Sequence, residues 1–203
     1  MSLIEQLVTR LADYQPRSID ANFPEAGILV PITRNAIEPE IILTRRAQGL
    51  STHQGQVAFP GGKFDSADQT LERTALRESQ EEIGLNPSRV QVIAQLSQVV
   101  SLHGIRVTPY VGLIDETAQL TPNYDELDSI FRVPVSFFLT AEPVRRDKMT
   151  YKGTALSVPS YHYDYSGERY EIWGLSAIVL VELMNLAFDA NITLFEACKR
   201  EQS

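Results

Sequence analysis

Three glutamates fall within five consecutive positions, at Glu78, Glu81 and Glu82. The run around them, LRESQEEIG, reads as the end of a helix that closes at Gly84, with Pro87 shortly beyond. Residues four apart lie on one helix face, so Glu78 and Glu82 form a pair and Glu81 borders it. Bare carboxylates this close repel, at roughly 0.2–0.5 kcal/mol per pair. A divalent cation reverses that sign. Mg²⁺ and Mn²⁺ are hard ions that take oxygen ligands and leave other positions to water and substrate phosphates. Arg77, four residues before Glu81, is placed to hold a carboxylate in position, and Leu76 and Ile83 mark the buried side. Just upstream, Phe59-Pro60-Gly61-Gly62 reads as a tight turn. Glycine lets backbone approach a ligand closely, so the Gly61 carbonyl is a candidate further metal ligand. Glutamates alone also fit a solvated acidic face. The glycine turn, the arginine and the three glutamates together favour a metal site.

The elements that must position these residues are legible in outline. The glutamate helix is expected from about Thr70 to Ile83. Before it, Ala26–Thr33 and Glu40–Arg45 read as strands joined by a turn at 35–39, followed by a long loop to Gln56. After it, Val90–Val100 and Ile105–Ile114 read as a strand pair joined by SLHG, rich in β-branched residues. The turn-rich LTPNYDEL leads into a short strand, Ile130–Val135. A hairpin is expected over Tyr161–Trp173, turning at Ser166-Gly167. Helices are expected from about Ser2 to Tyr14, closed by Pro16, and from about Leu175 onward. Helices at both ends and in the middle, with strands between, predict an α/β sandwich around a mixed β-sheet. At 203 residues, with no internal repeat, the expectation is one domain.

Composition excludes several classes. The net charge is −8, from 18 Lys+Arg against 26 Asp+Glu, whereas general nucleic-acid binding uses basic surfaces. An anionic substrate would therefore need a metal or a local basic cluster. The single cysteine, Cys198, permits no intrachain disulfide and fits a reducing compartment. The N-terminal run lacks the basic start and apolar core of a signal peptide. The most apolar stretch, 175–188, is too short to span a bilayer. These features are those expected of a cytoplasmic protein without a membrane partner.

The run from Phe59 to Leu85 resembles the Nudix box, G-x5-E-x7-R-E-U-x-E-E-x-G-U, where U is bulky and apolar. Arg77, Glu78, Glu81, Glu82, Gly84 and Leu85 match it in register. Its start departs from the pattern: Gly62 stands one residue too far from Arg77, Asp68 takes the first glutamate position, and Ser79 replaces the apolar residue after Arg-Glu. Further upstream, Leu43–Gly62 is similar to the signature of the coenzyme A pyrophosphatases within that superfamily, roughly L-L-T-x-R-S-A, a gap, then R-x3-G-x3-F-P-G-G. Leu43, Thr44, Arg46, Gly55 and FPGG match, while Ala47 and Ser51 stand where the signature has serine and arginine. The likeness continues in VTPYVG, YDELDSIFRVPVSFFL and IWGLSA.

The resemblance implies a Nudix-type α/β/α sandwich that hydrolyses a nucleoside diphosphate linked to another group, with Mg²⁺ or Mn²⁺ as cofactor. It implies Glu78 and Glu82 as principal metal ligands, assisted by Glu81 and the Gly61 carbonyl. Glu126 is implied as the downstream carboxylate that completes the site or takes a proton, with Asp125 and Glu142 as alternatives. Arg46, and next to it Arg45, are candidates for a substrate phosphate, as is Lys63. Coenzyme A or acyl-CoA is the implied substrate, giving 3′,5′-ADP and a phosphopantetheine product. Ser51 leaves open another Nudix substrate such as ADP-ribose, NADH or a dinucleotide polyphosphate. A nucleotide-binding sensor without turnover is disfavoured by the retained glutamates. A homodimer is also implied. His53 and His103 have no metal-binding partner at ligand spacing.

Overall fold

The computed structural model describes residues 1–48, 55–151 and 154–194. In chain order the elements are α1 (Leu3–Leu11), β1 (Glu25–Thr33), β2 (Glu40–Arg46), β3 (Val57–Ala58), β4 (Gly61–Lys63) and α2 (Leu71–Ile83). There follow β5 (Gln91–Gln95), β6 (Val99–Val100), β7 (Arg106–Ile114), β8 (Leu127–Pro134), α3 (Val135–Thr140), β9 (Arg145–Tyr151), β10 (Thr154–Tyr165), β11 (Glu168–Ile172) and α4 (Gly174–Phe188). The larger sheet runs β3-β2-β1-β7-β5, with β4 on β1, β6 on β7 and β8 on β2. β1 and β7 pair in parallel along their whole length, Glu25 with Arg106 to Thr33 with Ile114, and the other pairs are antiparallel. A second sheet runs β11-β10-β9.

Pleating explains the two layers around the large sheet. Ile28, Val30 and Ile32 of β1 join one core with Leu7 and Leu11 of α1 and Val179, Leu183 and Met184 of α4. Leu29, between them in sequence, joins a second core on the opposite face with Ile42, Tyr110 and Ala75 and Ile83 of α2. Both β1 and β7 are therefore covered on both sides, which is why they read as unbroken apolar runs. The fold is a mixed-sheet α/β sandwich, as the order of elements predicts. None of the described helices is long and apolar enough to cross a membrane.

Four differences from the sequence reading have local causes. The expected strand 90–100 divides into β5 and β6, because Leu96–Gln98 turns inward. There Ser97 Oγ meets Tyr14 Oη at 2.7 Å and accepts from Arg17 N, and β5 already carries a bulge between Val92 and Ala94. The FPGG turn enters a short strand, β4, paired Gly61 to Ile28 and Gly62 to Gly27. The strand expected at 130–135 begins at Leu127 and hands over to α3 at Val135. β9 was hidden by its charge, RRDKMTY, since an edge strand with exposed charges lacks the alternation that marks a half-buried one.

Candidate active site

The position of α2 is fixed at both ends. Thr70 caps it, its side chain accepting from Arg73 N, and Gly84 closes it in the left-handed conformation at φ 68°. Ser79, the departure from the apolar pattern, is fully buried and donates its hydroxyl to Ala75 O at 2.6 Å. A polar group is tolerated there because its hydrogen bond is made within the helix. The loop after β7 also ties to the C-terminal carbonyls of α2. Thr121 N donates to Ile83 O at 2.9 Å and Asn123 N to Glu82 O at 2.8 Å. That loop carries Glu126, whose own carbonyl accepts from Ala47 N at 2.9 Å. Helix end, loop and the end of β2 are thus joined by backbone hydrogen bonds. The sequence holds no motif for this, because backbone groups make the contacts.

Arg77 is the hub of the exposed side. Its guanidinium donates to Asp68 through Nε at 2.8 Å and Nη2 at 3.1 Å, and to Glu81 through Nη1 at 3.0 Å. It also pairs with Glu78 at 2.9 Å. Asp68 is buried and further accepts from Thr74 Oγ1 at 2.8 Å and Asp65 N at 3.2 Å. The Arg77 bonds, ahead of the Thr74 and Asp65 ones and against the opposing effect of burial, hold its pKa down at about 2. A depressed acid stabilises the fold above its unfolded value of about 3.8 and loses that contribution as pH falls through 2. Asp68→Asn is therefore expected to cost about 2 kcal/mol at pH 7. In urea melts, the gap between variant and wild type should close as pH falls from 4 toward 2.

Glu82 faces inward. Only 4% of it is exposed, and its Oε2 accepts from Gly61 N at 3.0 Å. Arg46 Nη1 stands 3.9 Å from Oε1, too far for a hydrogen bond, and the buried Arg46 Nε has no partner among the described residues. Burial raises the Glu82 pKa to about 7; Gly61 N–H and Arg46 oppose this, and the neighbouring charges of Glu78 and Glu126 add to it. Burial likewise raises Glu78, with Arg77 opposing. Glu78 lies flat against Gly62: a Cβ there would stand 2.5 and 2.6 Å from its two carboxylate oxygens. Gly62→Ala should thus displace a flexible carboxylate without disturbing backbone. We expect the melting temperature to move by only a few degrees, for a change of about 1 kcal/mol, while any activity that uses Glu78 falls at least roughly tenfold. Calorimetry and kinetics on one sample separate the two effects.

The structure thus brings Glu78, Glu82, Glu126, Arg46 and the Gly61–Gly62 turn to one place. Glu81 lies at its edge, with its side chain 57% exposed and turned to Arg77. Arg45 points elsewhere, held by Asp128 at 2.7 Å, by Glu168 at 2.5 Å and over the Tyr170 ring. Lys63 is exposed at the end of β4, its carbonyl 3.5 Å from Arg77 Nη2. Asp125 is exposed in the Glu126 loop, its N–H bonded to Asn123 Oδ1 at 3.2 Å. Glu142 is exposed just after α3 and neighbours Tyr161, a residue of the α4-side core. Ser51, His53 and Cys198 lie outside the described residues.

The donor set suits a hard cation. Five carboxylates, Asp68, Glu78, Glu81, Glu82 and Glu126, have two guanidinium groups beside them, Arg46 and Arg77. Among the described residues Glu82, the deepest carboxylate, has a single N–H donor within hydrogen-bond distance, that of Gly61. Among the described residues no three acidic, histidine or cysteine side chains converge as a finished metal cage. Arg77 pairs with both Glu78 and Glu81, and Glu126 is exposed.

The chain matches the family model for the NUDIX domain over residues 24–150. It is 34% identical over 162 residues to Nudix hydrolase 15, mitochondrial, of Arabidopsis thaliana, covering 79% of this chain but only 57% of that protein. It is 38% identical over 162 residues to the uncharacterized Nudix hydrolase NudL of Citrobacter koseri, covering 80% of this chain and 82% of that one. The solved structure of a MutT/nudix family protein from Enterococcus faecalis superposes with a TM-score of 0.55 at 16% identity, over 93% of this chain and 70% of that one. That likeness concerns the fold.

Proposed function

The chain belongs to the Nudix family, and on that premise we propose that it hydrolyses the pyrophosphate bond of coenzyme A or acyl-CoA in a metal-dependent reaction. The observation that carries the reading is Glu82: a buried carboxylate with its pKa near neutrality, at a glycine turn, with Glu78 and Glu126 beside it. Glu78 and Glu82 would hold Mg²⁺ or Mn²⁺, with Glu81 and the Gly61 carbonyl assisting. When bound, such an ion supplies Lewis-acid polarisation of phosphoryl oxygens and lowers the pKa of water.

The chain's own residues account for the rest. Glu126 accepts a proton from the attacking water on its carboxylate. As the water oxygen bonds to one phosphorus, the bridging P–O bond breaks and its electron pair leaves on the other phosphate. Arg77 is a positioning residue, setting Glu78 and Glu81 from its anchor on Asp68. Arg46 makes the charge-assisted contact to a substrate phosphate, since its partly exposed guanidinium stands beside Glu82 and its neighbour Arg45 is committed to Asp128, Glu168 and Tyr170. Lys63 supplies positive charge at the mouth. The products are 3′,5′-ADP and a phosphopantetheine.

The substrate assignment rests on the segment from Leu43 to Gly62. Ser51, standing at the signature's arginine, favours a second reading in which another nucleoside diphosphate derivative is cleaved. Purified protein with Mg²⁺ or Mn²⁺ and, in parallel, coenzyme A, ADP-ribose and NADH decides between them by chromatography. Release of 3′,5′-ADP is expected. No cleavage of coenzyme A beside good cleavage of another substrate removes the substrate claim.

A further inference from the structure

Arg45 and Arg46 are neighbours in β2, and the strand opposite treats them differently. β2 and β8 pair in regular antiparallel register from Glu40 with Pro134 to Arg45 with Ser129, and Arg46 then pairs with Leu127. One residue of β8, Asp128, is therefore extra, and it forms a β-bulge at the start of the strand. A bulge re-aims side chains and leaves one residue outside the ladder. Just before it stands Glu126, whose carbonyl accepts from Ala47 N at 2.9 Å. Without the bulge Ala47 would meet Leu127 instead, and a slip of one residue turns side chains to the opposite face. The bulge thus sets which way Glu126 faces. A residue outside the ladder must be held by other contacts, and here Arg45 supplies them. Its Nε and Nη2 both stand 2.7 Å from Asp128 Oδ2. Nη2 also meets Glu168 of β11 at 2.5 Å, and the guanidinium lies 4.8 Å from the centre of the Tyr170 ring. Tyr170 Oη donates to Ser129 Oγ at 3.1 Å, on the other side of the bulge.

We propose that Arg45 is a positioning residue for the reaction: by clamping the bulged Asp128 it fixes the register that presents Glu126 to Glu78 and Glu82. The proposal rests on the diphosphate-hydrolase reading above, in which Glu126 takes the proton, and adds a residue that touches no substrate. An exposed ion pair by itself contributes little. This one is different, because Glu168, Tyr170 and the pairing of β2 hold the guanidinium before Asp128 meets it, and a planar fork held in place loses little freedom on bonding. Both partners also lie close to the site along the chain, Arg45 next to Arg46 and Asp128 two residues after Glu126. A misplacement of roughly 1 Å in a reacting group can cost about a hundredfold in rate. The clamp makes no contact with a substrate phosphate. Its loss is therefore expected in kcat and not in KM, the reverse of what loss of Arg46 should show.

Arg45→Met and Asp128→Ala, singly and together, test the clamp, with circular dichroism as the check of folding and Arg46→Met for comparison. The substrate is whichever of coenzyme A, ADP-ribose and NADH wild type cleaves best. In each single variant kcat should fall roughly tenfold or more at unchanged KM. The double variant should fall no further, because both changes break one contact. Arg46→Met should raise KM instead. Hydrogen exchange gives a readout that needs neither metal nor turnover. The amides of Ala47, Glu126 and Leu127, bonded to the carbonyls of Glu126 and Asn123, should exchange roughly tenfold faster in both single variants, with those of α2 unchanged. A wild-type kcat, additive losses in the double variant, an effect on KM alone, or wild-type exchange at these amides overturns the proposal. No cleavage of any of the three substrates by wild type, beside faster exchange in both variants, overturns the hydrolase reading and leaves the clamp on the Glu126 loop standing.

Discussion

Glu82→Gln is expected to lower kcat by about a thousandfold or more, equivalent to roughly 4 kcal/mol of transition-state stabilisation. Glutamine keeps the shape of the side chain and an oxygen that can still accept from Gly61 N. What it removes is the charge a divalent cation needs. The same substitution should stabilise the metal-free protein, and the sign follows from linkage. Burial raises the folded pKa of Glu82 from 4.5 to about 7. Between those values the folded state binds more protons than the unfolded chain, so stability falls as pH rises. The contribution is complete below 4.5 and is lost by pH 8, at a cost of up to about 3 kcal/mol. Glutamine has no such loss. In the presence of a chelator, Glu82→Gln should therefore melt higher than wild type at pH 8 and match it near pH 4.5. An inactive variant that is more stable than its parent separates a functional carboxylate from a structural one. A variant that is inactive and less stable at pH 8 would point to a structural role.

Gly27→Ala is expected to damage the fold itself. Gly27 lies in β1 directly beneath α2. A Cβ there would penetrate the carbonyl oxygen of Leu71 and stand 3.1 Å from Ala75 N. Both obstacles are helix backbone and cannot rotate away, so helix and sheet must separate. Overpacking of this kind costs about 1–3 kcal/mol and sometimes more. The helix that moves is the one that carries Glu78 and Glu82, so activity should fall together with stability. Denaturant midpoints and kcat/KM measured on the same preparation check this. The contrast with Gly62→Ala is instructive, since there the new methyl meets only the end of a flexible side chain. Two glycines paired across β1 and β4 should give opposite balances of stability and activity loss.

The legible parts of this molecule are those set by local chemistry. The span of α2 was readable from Thr70 and Gly84, because capping is a property of a few adjacent residues. β1 and β7 were readable as apolar runs, because burial on both faces leaves no polar positions. The glutamates were readable for the same reason as α2: helical spacing fixes which side chains share a face. What the sequence does not display is long-range partnership. Nothing adjacent to Arg45 or Arg46 tells which one is captured, since Glu168 and Tyr170 arrive from β11. The inward turn at Ser97 depends on Tyr14, 83 residues away. The tie between Asn123 N and the carbonyl of Glu82 uses backbone alone. β9 lacks a pattern because its side chains are mostly exposed.

The buried carboxylate at the glycine turn is proposed to hold a divalent cation. Titration of Mn²⁺ into wild type and Glu82→Gln, followed by loss of the free-ion EPR signal at pH 8, tests it most directly. Saturable binding by wild type, weakened roughly tenfold or more in the variant, is the predicted result. Superimposable curves for the two proteins would contradict it.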